Sequence, residues 1–254
     1  MGIIRILPDD VVSKIAAGEI VERPASVVKE LIENSLDADS TRIKITLTAG
    51  GKRFISVEDN GTGMNRDDAL LCLERHATSK ISSADDILNI NTLGFRGEAL
   101  PSISSVSKFR IITKQDRQLS GVEIKIEGGV IKKVNDTGCP DGTLIEARNL
   151  FYNTPPRLKF LKKTETELSN VLDVVQRHAI TRHDVSFEVV HNAKTILSLN
   201  AGSKLSDRIN EIFPKVRLHE VSAASDGIAV HGFLSGPDDS RTSTYKLFCY
   251  VNKR

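Results

Sequence analysis

Hydrophobic residues recur at helical spacing in several segments of the chain. This spacing predicts helices at residues 10–20, 24–37, 66–75, 165–182 and 205–212. Pro24 suits the first turn of the second helix, because a residue in that position needs no backbone N–H. Residues 76–97 lack a clear period and are rich in Ser, Thr and Asn, which predicts a long functional connection, and we expect a lid there.

Alternating hydrophobic and polar residues predict the strands. They fall at residues 42–47, 54–57, 109–113, 122–126, 144–147, 186–190, 195–199, 216–221, 228–234 and 247–251. Gly50-Gly51 and Gly128-Gly129 are typical of hairpin connections. The pattern therefore predicts an α+β fold, a two-layer sandwich with helices on one face of a mixed, largely antiparallel sheet.

The order of these elements predicts two domains. Residues 1–204 form the first, while residues 205–254 begin a second, smaller α/β domain. Residues 153–156 interrupt regular structure through two consecutive prolines. The sequence ends directly after an apolar strand, so we expect a truncated second domain and a fragment of a longer protein.

Composition narrows the class of protein. No apolar run reaches about 18 residues and no secretory signal is visible, so we expect a cytosolic protein that does not enter a membrane. The 3 cysteines lie far apart, which argues against a disulfide framework or a zinc site. The net charge of +2 does not by itself indicate nucleic-acid binding. With no Trp and few other aromatic residues, the sequence gives no sign of a surface on which the bases of single-stranded nucleic acid would stack.

Glu30 and Asn34 are the first candidates for chemistry. They are four residues apart and share a helix face, whereas Glu33 and Asp37 form a neighbouring pair that is rotated away. On a bound triphosphate, Glu30 would deprotonate the attacking water and Asn34 would bind Mg²⁺ through its side-chain carbonyl. The alternative is an ordinary solvated helix face.

Asp59 ends an apolar strand and precedes Gly61 and Gly63, which would let the backbone approach a planar ligand. Its carboxylate can accept a hydrogen bond from the exocyclic amine of adenine, which predicts a preference for ATP over GTP. Thr143, at the start of a strand, would contact adenine beside it. The alternative for Asp59 and its glycines is a plain hairpin turn, and the alternative for Thr143 is an ordinary β-branched strand residue.

A glycine-bearing stretch before a predicted helix favours phosphate binding through free backbone N–H groups. It comprises Gly94, Phe95, Arg96, Gly97, Glu98, Ala99 and Leu100. It has neither the P-loop ending nor the dinucleotide-binding spacing. Arg96 would contact phosphate or, as we favour, anchor the loop. Thr78, Ser79 and Lys80 would close on phosphate, and His76 is interpreted as structural.

These segments resemble the MutL family of DNA mismatch-repair proteins, within the ATPase superfamily of gyrase B, Hsp90 and sensor histidine kinases. The matching stretches are residues 15–20, 23–24, 29–38, 59–63, 75–80, 94–100 and 149–157. The strings Gly-Phe-Arg-Gly-Glu-Ala-Leu and Phe-Tyr-Asn-Thr-Pro-Pro-Arg separate this family from its cousins.

The resemblance implies an Mg²⁺-dependent ATPase that acts as a slow switch, in which ATP binding joins two N-terminal regions and couples mismatch recognition to strand processing. It implies Glu30 as general base, Asn34 as Mg²⁺ ligand, Asp59, Gly61, Gly63 and Thr143 around adenine, and Lys80 with residues 94–100 at the phosphates. A phosphate-binding lysine and a C-terminal region, which carries a nuclease in some members, would lie beyond Arg254. Hydrolysis by this chain is therefore expected to be weak.

The implied partners are a MutS-type mismatch sensor, DNA, a second copy of the chain, and a downstream endonuclease or helicase. The implied location is cytoplasmic in a bacterium and nuclear in a eukaryote. Sequence-independent DNA contact is predicted for a basic set comprising Arg157, Lys159, Lys162, Lys163, Arg177 and Arg182, with a solvated charged face as the alternative. The competing functions are a gyrase-like or chaperone-like ATPase and a non-catalytic DNA-binding module.

Overall fold

The computed structural model describes residues 17–80, 92–94, 96–202, 204–237 and 247–252. The first predicted helix lies mostly outside this part of the chain, although residues 17–20 are helical. The remaining helices are α1 (Pro24–Asp37), α2 (Arg66–Leu71), α3 (Ala99–Ser105), α4 (Pro155–Phe160), α5 (Thr164–Thr181) and α6 (Leu205–Ile212). Among these described helices, none is long and apolar enough to cross a membrane.

The strands follow the alternation of the sequence. They are β1 (Arg42–Thr48), β2 (Phe54–Asp59), β3 (Lys108–Lys114), β4 (Gly121–Glu127), β5 (Val130–Thr137), β6 (Gly142–Arg148), β7 (Ser186–His191), β8 (Lys194–Leu199), β9 (Leu218–Ser225) and β10 (Ile228–Ser235). The first eight form one sheet in the order β5-β4-β3-β6-β2-β1-β7-β8, and β9 and β10 form a separate hairpin. In the larger sheet only β1 and β7 run parallel, so the predicted mixed and largely antiparallel sheet is confirmed.

The hydrophobic core lies between one face of the larger sheet and a layer of helices. Along β1, Ile43, Ile45 and Leu47 are fully buried, while the residues between them are partly exposed on the other face. Helices α1 and α5 pack against each other, and α1 and α3 contact the sheet. A sheet with one buried and one wetted face produces this alternation. The predicted α+β sandwich is therefore confirmed.

Four elements differ from their predicted form. Helix α2 ends at Leu71 and not at residue 75, and residues 247–251 are not a strand. Strand β5, which is not among the predicted strands, completes the hairpin at Gly128-Gly129. Its residues are mostly exposed, so buried and exposed positions do not alternate along it. Pro155 and Pro156 begin helix α4 and do not merely interrupt the chain, because proline is tolerated in the first turn of a helix.

Helix α6 is joined to the end of helix α5 by the fully buried side chain of Arg208. Its guanidinium donates hydrogen bonds to the carbonyl oxygens of Ala179, Arg182, His183, Val185 and Asn200. Several of these carbonyls lie where helix α5 ends, so the cation also complements the negative end of that helix. The predicted boundary between residues 204 and 205 stays a prediction.

Candidate functional site

A cleft of about 690 Å³ lies between helix α1, the ends of β2 and β6, and the residues around 77–80 and 93–101. Most of the predicted site residues line it, namely Glu30, Asn34, Asp59, Gly63, Thr78, Ser79, Lys80, Gly94, Arg96, Gly97, Glu98, Ala99, Leu100 and Thr143. Gly61 does not line the cleft. Phe95 lies outside the described residues.

Asp59 is held in a fixed orientation at the end of β2. Its Oδ2 accepts from the hydroxyl of Ser35 at 2.7 Å, and its Oδ1 accepts from the backbone N–H groups of Gly61 at 2.9 Å and Thr143 at 3.3 Å. Burial raises the pKa of this carboxyl, and the three hydrogen bonds oppose that shift in part. A carboxylate has about four acceptor positions, so Asp59 keeps capacity to accept from a ligand.

Gly61 and Gly63 are required by the packing of the loop after β2. A Cβ atom at Gly61 would lie 2.6 Å from the carbonyl oxygen of Ala38, at the end of helix α1. Gly63 has a φ of +62°, and a Cβ there would collide with the carbonyl oxygen of Lys114. The protein backbone is thus the obstruction at both glycines, whereas the sequence interpretation made room for a ligand the reason for both. Room for a ligand stays a prediction at Gly63, which lines the cleft, and Gly61 does not line it.

Three polar side chains form a row across neighbouring strands. Asp59 of β2 and Thr113 of β3 are both register partners of Thr143 in β6, so the three side chains emerge on the same side of the sheet. The Oγ1 atoms of Thr113 and Thr143 are 3.0 Å apart. The row ends in the cleft, which Asp59 and Thr143 line.

Glu30 reaches the cleft with a quarter of its side chain exposed, 25%. Lys29 Nζ lies 3.1 Å from Glu30 Oε1 and 3.1 Å from Glu33 Oε1. His178 of helix α5 contacts Glu33 through Nε2 at 3.4 Å. Burial acts to raise the pKa of Glu33, but the hydrogen bond with His178 and the charge of Lys29 lower it overall. Within the described part of the chain, Glu30 therefore has fewer polar contacts than Glu33.

Asn34 and Asp37 both contact Lys80. Lys80 Nζ donates to Asn34 Oδ1 at 3.0 Å and forms an ion pair with Asp37 Oδ2 at 2.5 Å. Asp37 also accepts from the backbone N–H groups of Leu93 and Gly94, at 2.9 and 3.1 Å. One carboxylate therefore fixes both described ends of the segment predicted as a lid. The prediction that Glu33 and Asp37 are rotated away is wrong for both residues, because both line the cleft.

The glycine-bearing stretch is anchored to the residues after helix α2. Gly97 has a φ of +62°, and a Cβ there would lie 2.4 Å from the carbonyl oxygen of Ala77. The backbone N–H of His76 donates to the carbonyl of Gly97 at 3.1 Å, and its ring lies 3.2 Å from Glu98. These contacts agree with a structural role for His76. Helix α3 begins at Ala99, shortly after the two glycines of this stretch, as the sequence predicts.

The sequence interpretation assigns no role in the cleft to Ser35 or Thr113 and names Asp37 only as rotated away. Asp37 is three residues after Asn34, a spacing that keeps two side chains on neighbouring parts of one helix face. That spacing is a signal that could have been used. Ser35 and Thr113 have no such signal, since their contacts with Asp59 and Thr143 join residues that are distant in sequence.

The cleft holds one side chain suited to a bridging metal ion. Among the described residues there is no group of three or more His, Cys, Asp or Glu side chains that would hold a metal ion by itself. Asn34 Oδ1, however, already faces the positive charge of Lys80. Mg²⁺ is usually held by one or two protein oxygens together with phosphates and water, so a single amide oxygen fits such an ion.

The predicted basic set divides into arginines with contacts in the chain and exposed lysines. Arg157 donates to the carbonyls of Ala17 and Val21, Arg177 pairs with Asp173, and Arg182 pairs with Asp184. Lys159, Lys162 and Lys163 are exposed at the end of helix α4 and before helix α5. The DNA surface stays a prediction, and these three lysines are its members with exposed side chains.

Comparisons with known proteins agree with this geometry. Residues 22–150 match the family model of the histidine kinase-, DNA gyrase B- and HSP90-like ATPases. The chain is 49% identical over 254 residues to the DNA mismatch repair protein MutL of Geobacter sulfurreducens, a match that covers 99% of this chain and 42% of the relative. The MutL protein of Pelobacter propionicus is 48% identical with the same coverage. The chain thus spans about two fifths of the length of these relatives.

Solved structures show the same similarity. The Aquifex aeolicus MutL ATPase domain complexed with ADP superposes with a TM-score of 0.67 at 36% identity, over 80% of this chain and 73% of that chain. The N-terminal domain of a DNA repair protein superposes with a TM-score of 0.81 at 29% identity, over 98% of this chain and 80% of that chain.

Proposed function

Because the chain belongs to the MutL family of DNA mismatch-repair proteins and carries its ATPase domain, we propose that it binds ATP with Mg²⁺ in the cleft and hydrolyses it slowly. The observation that carries this proposal is the oriented carboxylate of Asp59 in the same cleft as Glu30 and Asn34. Nucleotide binding is supported by the related domain from Aquifex aeolicus, which is complexed with ADP.

Each part of the cleft has a role in this proposal. Asp59 accepts from the adenine amine, and Thr143 lies beside it. Glu30 takes the proton of the attacking water, and Asn34 would hold Mg²⁺, which would supply positive charge to neutralise the phosphates. Lys80, Thr78, Ser79 and the stretch from residue 94 to residue 100 contact the phosphates.

Calorimetric titration of the chain with a non-hydrolysable ATP analogue and Mg²⁺ tests the proposal. We expect binding of the ATP analogue and at least about tenfold weaker binding of the GTP analogue, since guanine places an acceptor oxygen where adenine has a donor. Equal affinity for the two analogues would contradict the role of Asp59. No binding of either would contradict a nucleotide site formed by this chain alone.

At the level of the whole protein, we propose a switch in which ATP binding joins two N-terminal regions and couples mismatch recognition to strand processing. The proposed partners are a MutS-type mismatch sensor, DNA, and a downstream endonuclease or helicase. Relatives that match 99% of the chain are MutL proteins, which disfavours the gyrase-like, chaperone-like and purely DNA-binding alternatives. Any nuclease activity would belong to a part of the protein outside this chain.

Reversing the charges of Lys159 and Lys163 to Glu tests the proposed DNA surface. Both side chains are exposed, and neutralised phosphates release counterions. We expect affinity for double-stranded DNA at low salt to fall by about tenfold, with unchanged binding of the ATP analogue. Fluorescence anisotropy over a salt series measures the effect.

Lys132 and Lys133, exposed on strand β5, provide the matched control. Reversing both changes the net charge of the chain by the same amount at a different place. An equal loss of DNA affinity in the control would assign the effect to net charge, and an unchanged affinity in both variants would refute the proposed surface.

A further inference from the structure

Thr113 is a buried hydroxyl one layer below the cleft, with only 1% of the residue exposed. Its Oγ1 has three polar neighbours. It accepts from the backbone N–H of Met64 at 2.9 Å, donates to the carbonyl of Gly142 at 3.1 Å, and lies 3.0 Å from the Oγ1 of Thr143. Thr113 does not line the cleft, whereas Thr143 does.

Only one set of directions lets Thr113 form hydrogen bonds with all three neighbours at once. A backbone N–H can only donate and a backbone carbonyl can only accept, so Thr113 must accept from Met64 and give its single proton to Gly142. One lone pair of Thr113 then remains for Thr143. The hydroxyl of Thr143 must therefore donate its proton inward to Thr113, because Thr113 has no second proton to offer.

This direction determines what Thr143 presents to a ligand. With its proton directed inward, its hydroxyl offers only lone pairs to the cleft. Asp59 presents the same character, since it accepts from Ser35, Gly61 and the backbone N–H of Thr143. The two side chains at this end of the cleft therefore both act as acceptors.

We propose that Thr113 is a positioning residue that fixes the hydroxyl of Thr143 as an acceptor and so restricts the cleft to purine nucleotides with an amino donor at C6. The inference rests on the proposed binding of adenine between Asp59 and Thr143. A purine with oxygen at C6 would place an acceptor against two acceptors. A direct contact with the group at C6 would transmit this preference.

Inosine triphosphate is the probe, because it differs from ATP only at C6 and at N1. It carries oxygen at C6 and hydrogen on N1, and it lacks the additional amine by which guanine also differs from adenine. Titration of each protein variant with the non-hydrolysable ATP and inosine triphosphate analogues gives a ratio of affinities. General loosening of the cleft changes both affinities and cancels in this ratio.

Thr113→Val removes the hydroxyl and keeps the shape of the side chain. The proton of Thr143 is then free to turn towards the cleft, and we expect the preference for the ATP analogue to fall by about tenfold, the value of one hydrogen bond. Thr113→Ser retains the hydroxyl and should keep the parental ratio. An unchanged ratio in Thr113→Val would overturn the proposal.

Thr143→Val provides a second test that does not depend on the folding of Thr113→Val. Removing the acceptor itself should lower the preference by a similar factor, and adding Thr113→Val to this variant should change the ratio no further. An undiminished preference in Thr143→Val would overturn the proposal. Absence of ATP binding by the parent chain would instead refute the proposed function, so the two failures are distinguishable.

Discussion

Replacing Asp59 by Asn is expected to lower the affinity of the chain for a non-hydrolysable ATP analogue by about 100-fold or more, with the fold retained. The remaining oxygen of Asn can still accept from the backbone N–H groups of Gly61 and Thr143, and its amide nitrogen can donate to the hydroxyl of Ser35. The adenine amine would then meet a donor in place of Oδ2. Two donors facing each other in a buried site leave both unsatisfied.

Calorimetric titration beside a thermal unfolding curve measures both parts of this expectation. Asp136→Asn is the matched control, because it makes the same chemical change in an exposed ion pair with Arg66 outside the cleft. The control should bind the analogue as the parent chain does. Parental affinity in Asp59→Asn would remove this carboxylate from the nucleotide site.

Replacing Glu30 by Gln is expected to slow ATP hydrolysis by about 10²–10³-fold while the affinity for the ATP analogue stays near the parental value. Gln has the same shape, and its amide oxygen can still accept from Lys29, which lies 3.1 Å from the carboxylate. It cannot take a proton from water at neutral pH. The loss should therefore appear in the chemical step and not in binding. Phosphate release in a single turnover with Mg²⁺ measures that step.

Glu33→Gln is the control for this experiment. Glu33 lines the same cleft and contacts the same lysine, but it is also held by His178. Its neutralisation should lower the rate by less than about tenfold, because the hydrogen bond with His178 and the charge of Lys29 lower the pKa of Glu33 and so make it a poor proton acceptor. A loss as large as that of Glu30→Gln would assign the base to Glu33.

The fold could be predicted where local pattern and tertiary environment agree. Helix α5 (Thr164–Thr181) begins and ends within one residue of its predicted bounds, because its apolar stripe packs against α1 and other parts of the core. Helix α4 (Pro155–Phe160) has no buried residue and so no apolar period to detect. Two prolines can mark either a break or a first turn, and the sequence alone does not separate these cases.

In the candidate site, residues related by local spacing could also be predicted, and residues brought together by strand pairing could not. Glu30 and Asn34 are related by helix geometry, which sequence spacing expresses directly. Thr113 and Thr143 are 30 residues apart and meet only because β3 pairs with β6. Pairing between distant strands depends on the complete sheet, so no local pattern predicts which of the strand threonines forms the buried layer of the cleft.

The buried guanidinium of Arg208 limits where the chain can bend between its two predicted domains. Moving helix α6 (Leu205–Ile212) away from helix α5 would leave the carbonyls that Arg208 binds without their donor and would carry its charge through the core. We therefore expect α6 to stay packed against α5, which would place any bend between the two predicted domains after Ile212 and not at the predicted boundary between residues 204 and 205.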